Sequence, residues 1–217
     1  LYVPANFKVE DPKLIREFLA QYPFATLLQG FEASHIPLLE LDTPTDPSAR
    51  LHKLYGHLTA SNTLVQKLRS SGPDAEVMAI FLGPHAYISS SWYSNPNIPP
   101  TWNFMSAHLR GSARIIDDEA RTWEIVQATV SWAEAHNRTA WSISGEHPAI
   151  KPLRQLIVGV ELEVRDLQCS FKLSQNRSRS DQENVIRELR GKGQGDLASW
   201  MEKVLFQSSP RSSGEST

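Results

Sequence analysis

Short β-type runs, parted by turn residues and by few helices, constrain this chain more than any other feature. They fall at 24–28, 34–41, 51–58, 76–82 and 85–89, with two long runs at 101–116 and 157–174. Connections this short join neighbouring strands running in opposite directions, so the pattern predicts an antiparallel barrel with peripheral helices rather than a parallel sheet. Glu76 to Leu82 is almost wholly apolar, as for a strand covered on both faces, and Gly83-Pro84 is expected to turn the chain into HAYIS. Helices are expected over 12–21, where Asp11-Pro12 supplies a cap and an N1 proline, and over 61–70, with Ser61 as cap. Others are expected over about 117–136, 181–190 and 196–206, the last two parted by GKGQG. The chain divides by composition into a barrel domain over 1–176, a helical extension over 177–206 and a disordered tail over 207–217.

Composition excludes several classes of function. Lysine and arginine number 22 against 24 acidic residues, a formal net charge of −2, so no global field draws the protein to nucleic acid or an anionic membrane. No apolar run approaches the roughly 18 residues of a membrane span, and the N-terminus lacks the basic-then-apolar order of a signal peptide. Cys169 is the only cysteine, which rules out an internal disulfide and fits a cytoplasmic setting. His52 and His57 are five apart, so in a strand they face opposite ways, and no HExxH is present. GxSxG, GxGxxG and Walker A patterns are absent as well.

Three stretches are too specialised for packing alone. YGHLTASNTLVQKL passes from a strand ending at Gly56-His57 to a helix starting near Ser61-Asn62-Thr63. The unpaired N–H groups there, with hydroxyl and amide side chains, suit either ordinary capping or a phosphate. GPHAYISSSWYSNPNIPPTWNF places His85, Tyr87 and Ser89 on one strand face, with Trp92, Tyr93 and Trp102 as flat surfaces and Asn103 as an amide for a heterocycle edge. A proline-stiffened loop over a barrel mouth would need the same residues. CSFKLSQNR alternates Cys169, Phe171 and Leu173 with Ser170, Lys172 and Ser174, then adds Gln175 and Asn176 at the strand end, a pattern that a polar outer face followed by a turn would show as well.

LYVPANF, GHLTASN, AIFLGPHAYISSSWY, PTWNF followed by HLRG, IVGVELEV, and FKLSQNRS with VIREL together resemble the PaiB family of FMN-binding negative transcriptional regulators, from residue 1 to about 205. Ser90 departs from that pattern, standing where a proline is usual. The resemblance implies a six-stranded antiparallel FMN-binding split barrel working as a homodimer with flavin at the subunit junction. It places the phosphate near His35, Ile36, Pro37, Leu38, Gly56, His57, Ser61 and Asn62, with Tyr87 and Ser89 continuing the wall. Trp102, Asn103, Lys172, Ser174, Gln175 and Asn176 would come from the partner copy, Lys172 balancing charge at the flavin's pyrimidine edge. The family name implies repression of transcription; the alternative is an FMN-dependent oxidoreductase. Residues 177–192 carry five basic and three acidic side chains, a mild stripe for a DNA reader.

Overall fold

Asp11 and Pro12 open the first helix as their chemistry directs. In the computed structural model, which describes residues 2–207 apart from 43, 44, 47 and 73, α1 (Pro12–Gln21) has proline in its first turn, and the Asp11 carboxylate accepts from the Lys13 N–H at 2.9 Å. Leu14, Ile15, Phe18 and Leu19 make its buried stripe. The other elements are β1 (Lys8–Val9), β2 (Phe24–Gln29), β3 (Glu32–Pro37), β4 (Lys53–Thr59), α2 (Thr63–Ser71), β5 (Glu76–Ile88), β6 (Thr101–Ile116), α3 (Glu119–His136), β7 (Ile157–Lys172), α4 (Arg179–Gly191) and α5 (Gly195–Glu202). None of the described helices is long and apolar enough to cross a membrane.

The strands form one sheet in the order β1-β7-β6-β5-β2-β3, with β4 also on β7. Pairing is antiparallel for β1/β7, β2/β3, β2/β5 and β4/β7. The described residues form seven strands where the split-barrel resemblance implied six, because the two-residue β1 lies beside Cys169 and Ser170 of β7. Two compact units are built on these strands. The larger comprises Glu10–Leu82 and Ala107–Gln168; the smaller comprises Leu1–Val9, Gly83–Ser106 and Cys169–Thr217. β5, β6 and β7 each supply one stretch to either unit. α4 and α5 fall within the smaller unit. Of the tail expected over 207–217, residues 208–217 lie outside the described residues.

In the larger unit the sheet path is open, and one bridge ties its ends. Leu39, just past β3, and Tyr55 of β4 exchange two backbone hydrogen bonds of 2.8 Å. Gly56 permits that approach, since a Cβ there would sit 2.7 Å from the Pro37 carbonyl oxygen. Gly111 does the same on β6, where a Cβ would collide with the Glu163 carbonyl of β7. Phe18, Leu27, Leu54, Leu64, Phe81 and Leu162 belong to this unit's core, while Met105, Phe171, Leu189, Leu197 and Met201 fill the smaller one.

Two local expectations are corrected. Gly83-Pro84 does not turn the chain, because β5 runs unbroken from Glu76 to Ile88. Its pairing with β2 covers only Met78 to Phe81, so a proline at 84 forfeits no hydrogen bond to that neighbour. The cap of α2 is Asn62 rather than Ser61, its side chain accepting from the Leu64 N–H at 2.8 Å.

Candidate functional site

The start of α2 carries an ordered polar group. Asn62 Oδ1 accepts twice, from the Leu64 N–H at 2.8 Å and from the Ser34 hydroxyl at 3.2 Å. With that oxygen committed, the Asn62 amide N–H groups are the donors left for an outside acceptor. Ser61 beside it is exposed, and the first turn of α2 holds no acidic residue; the Leu64, Val65 and Gln66 N–H groups are taken by Asn62, so the helix start presents the Thr63 N–H and a positive end to an anion. Thr63 donates its hydroxyl to the Glu32 carboxylate at 2.8 Å, which ties α2 to β3.

The neighbouring residues expected at a phosphate behave less uniformly. His57 on β4 is half-buried, and burial lowers its pKa from the usual value of 6.5, so the imidazole is neutral. Its Nδ1 is buried without a hydrogen-bond partner among the described residues. Strand alternation on β3 puts Ser34 and Ile36 inward and His35 outward. His35 lies 3.0 Å from the Thr26 hydroxyl and stacks on Phe24, so its side chain faces away from Asn62's partner Ser34. Leu38 is buried in the core, Pro37 is half-buried, and Gly56 is enclosed at the barrel seam.

In the smaller unit, three rings meet on an open face. Trp102 of β6 is 53% exposed and Tyr87 of β5 49%; His85 and Tyr87 lie 5.7 and 6.3 Å from the Trp102 ring, centroid to centroid. His85 and Tyr87 are two residues apart on one strand and so share a face. Ser89 caps a short turn over Ser90–Trp92, accepting from the Ser91 N–H at 3.2 Å, which supplies the order a proline at position 90 would otherwise give. Trp92 and Tyr93 serve the C-terminal helices instead of the open face. Lys192 lies over Trp92, Arg177 over Tyr93, and Asp181 accepts from the Ser94 N–H at 2.7 Å.

Asn103 follows Trp102 and therefore points to the opposite face, where it is fully buried. Its amide nitrogen donates to the Ser174 hydroxyl at 2.9 Å, and its Oδ1 has no partner among the described residues. An edge contact to a heterocycle is thus one that Asn103 does not offer from its place in the chain. Ser174 is buried too and adopts a positive φ of 66°, rare for a residue with a Cβ. Gln182 Nε2 donates to its carbonyl at 3.1 Å. Gln175 is spent within the turn, accepting from the Leu173 N–H at 2.7 Å and donating to the Phe171 carbonyl. Asn176 is exposed. Lys172 donates to the Thr101 hydroxyl and lies 5.9 Å from the Phe7 ring; burial, then Arg177, lowers its pKa from the usual 10.5.

Chemically, the larger unit offers a seat for an anion and the smaller one an aromatic face for a planar ring. Burial pushes the Cys169 thiol up to about 12, so it is no nucleophile at neutral pH. Among the described residues no cluster of histidine, cysteine and carboxylates is able to hold a metal ion. Thr63 belongs to the helix start marked out in the sequence, whereas Ser34 carries no signal there beyond adjoining His35.

Comparison with known proteins bears on this geometry. The family model described as "Putative FMN-binding domain" matches residues 1–166. The Bacillus subtilis protein named "Protease synthase and sporulation protein PAI 2" is 33% identical over 195 residues, covering 87% of this chain and 89% of its own length. A conserved hypothetical protein from Mycobacterium tuberculosis, Rv2991, superposes with a TM-score of 0.56 at 14% identity, over 82% of this chain and 95% of its own. The FAD and heme binding protein from Mycobacterium smegmatis gives a TM-score of 0.55 at 10% identity, over 76% and 73%. These two structures share the fold.

Proposed function

Because the chain belongs to this FMN-binding family and is a flavin-binding protein of the PaiB kind with FMN as its cofactor, we propose that it holds the FMN phosphate at the start of α2 and works as a homodimer. The Asn62 amide, the Ser61 hydroxyl and the Thr63 N–H are the donors for the phosphate, with neutral His57 as a further donor. The observation that carries this reading is Asn62, whose oxygen is doubly occupied within the protein and whose N–H groups remain for a ligand. Trp102 and Tyr87 of the partner subunit lie against the flavin ring, a use that accounts for two large rings left half exposed. When bound, FMN supplies one- and two-electron transfer; the protein supplies grip, orientation and shielding from water.

The output we favour is negative regulation of transcription, in a cytoplasmic setting, by a route other than direct DNA reading. α4 buries Val185, Ile186 and Leu189, and α5 buries Leu197, Ala198, Trp200 and Met201, so the apolar faces of both helices are spent on packing. Two of the three α4 arginines are also balanced locally, Arg179 against Glu183 at 2.6 Å and Arg190 against Glu202 at 2.7 Å, while Arg187 donates to the Asn184 side chain. A second reading, an FMN-dependent oxidoreductase, is favoured by two titratable groups, His85 and Tyr87, exposed beside Trp102. The test of flavin binding is the absorbance of the purified protein and the nucleotide that acid releases. One FMN per chain is expected, and apoprotein that takes up FAD in preference would overturn the assignment. NAD(P)H-driven reduction of the flavin, coupled to an acceptor, is the result expected of the oxidoreductase. Indirect regulation is expected to show neither that turnover nor retardation of promoter DNA at physiological salt, and retardation would overturn the indirect route.

A further inference from the structure

A cavity of about 400 Å³ lies within the larger unit, lined from α1, α3, β4 and the segment following β3. Leu19, Leu38, Leu51 and Leu54 give it an apolar wall, and each of them is buried. It is a cleft open to solvent along the exposed Glu17 and Ala20, and a volume of this size falls in the range of small-molecule pockets. Two further features separate it from a packing defect. The Trp132 indole on its margin is fixed in orientation, its Nε1 donating to the Ala20 carbonyl at 2.8 Å. Arg16 and Glu40 also line it, joined by an ion pair of 2.8 Å with side chains only 14% and 17% exposed, which sets a donor and an acceptor side by side against an otherwise apolar wall.

The charges define the occupant. Arg16 stands against two carboxylates, Glu17 and Glu40, so an anion such as the FMN phosphate is disfavoured here. A hydroxyl both donates and accepts, and so engages the ion pair without unbalancing it. We propose that this cavity binds a small, uncharged, mainly apolar molecule bearing one hydroxyl, of the phenol class, independently of the flavin.

The test is calorimetric titration of the intact flavoprotein with 4-propylphenol, its hydroxyl-free analogue propylbenzene and the anion 4-propylbenzoate. Saturable binding of about one phenol per chain is expected, with a Kd on the order of 10 to 100 μM for a ligand of this size. Propylbenzene should bind at least about fivefold weaker and the benzoate at least about tenfold weaker. Ala128→Phe fills the cavity from α3 and should lower phenol affinity at least about tenfold while leaving the flavin spectrum unchanged. Leu51→Phe fills it from another wall and serves if the first variant fails to fold. No saturable phenol binding, equal binding by the filled variant, or a preference for the benzoate would each overturn the proposal.

Discussion

Asn62→Asp separates the structural and ligand-binding duties of one side chain. The substitution keeps an oxygen for the Leu64 N–H and the Ser34 hydroxyl, so the cap of α2 survives. A charge at a helix N-terminus contributes about 0.3–1 kcal/mol in its favour, and stability should therefore stay within about 1 kcal/mol of the parent. The amide donors are replaced by an anion. Losing a hydrogen bond to a charged group costs about 1.5–3 kcal/mol, and carboxylate–phosphate repulsion, weakened by solvent at this half-exposed position, adds about 1 kcal/mol. Together these predict FMN binding weakened roughly 100- to 1000-fold. Riboflavin lacks the phosphate and should change by less than about threefold. Quenching of flavin fluorescence on titrating apoprotein with each flavin gives both affinities, and urea denaturation gives the stability. Equal losses for FMN and riboflavin would place the phosphate elsewhere. An unchanged FMN affinity in a stable variant would remove Asn62 from the site.

Three other perturbations probe the remaining parts. Trp102→Ala removes an exposed ring, so denaturation should shift by less than about 0.5 kcal/mol while flavin fluorescence and dissociation rate change; an unaltered flavin would exclude this tryptophan from contact. Gly111→Ala forces a Cβ into the Glu163 carbonyl and should cost about 3 kcal/mol or more, read as a lowered denaturation midpoint or loss of soluble protein; a parental midpoint would refute the packing of β6 on β7. Burial pushes the Glu161 carboxyl up, but two hydrogen bonds from Arg114 at 2.9 and 3.1 Å and Lys53 at 3.1 Å outweigh it and hold the carboxyl below its usual 4.5. Its contribution is therefore complete above about 4.5, the unfolded value, and is lost as pH falls through the lower folded value. Glu161→Gln should cost about 1–3 kcal/mol at pH 7 and flatten the acid limb of stability against pH; an unchanged acid limb would show that this pair is not what the acid titrates.

The fold was largely legible because its signals are local. Asp11-Pro12 states the start of α1, and the long β-type runs at 101–116 and 157–174 match β6 and β7 almost to the residue. What stayed illegible depends on neighbours that no window contains. Gly83-Pro84 reads as a turn in any local scheme, yet whether a proline interrupts a strand depends on which of its edges is paired, and β2 ends its pairing at Phe81. β1 is similarly invisible: two residues, Lys8 and Val9, carry no periodicity, and only Ser170 and Cys169 opposite make them a strand.

The site divides along the same line, and strand alternation decides most of it. Trp102 and Asn103 are adjacent in one strand, and the two-residue period turns their side chains to opposite faces, Trp102 outward and Asn103 into the core. The buried member took the structural duty: Asn103 holds Ser174, whose positive φ is further secured through its carbonyl by Gln182. A polar cluster such as KLSQN is therefore ambiguous by composition alone, because fixing a strained turn and binding a polar ring call for the same amides and hydroxyls. Asn62 escapes that ambiguity. Its oxygen serves the fold and its nitrogen does not, and a side chain with one half spent and one half free is where structural and ligand roles become experimentally separable.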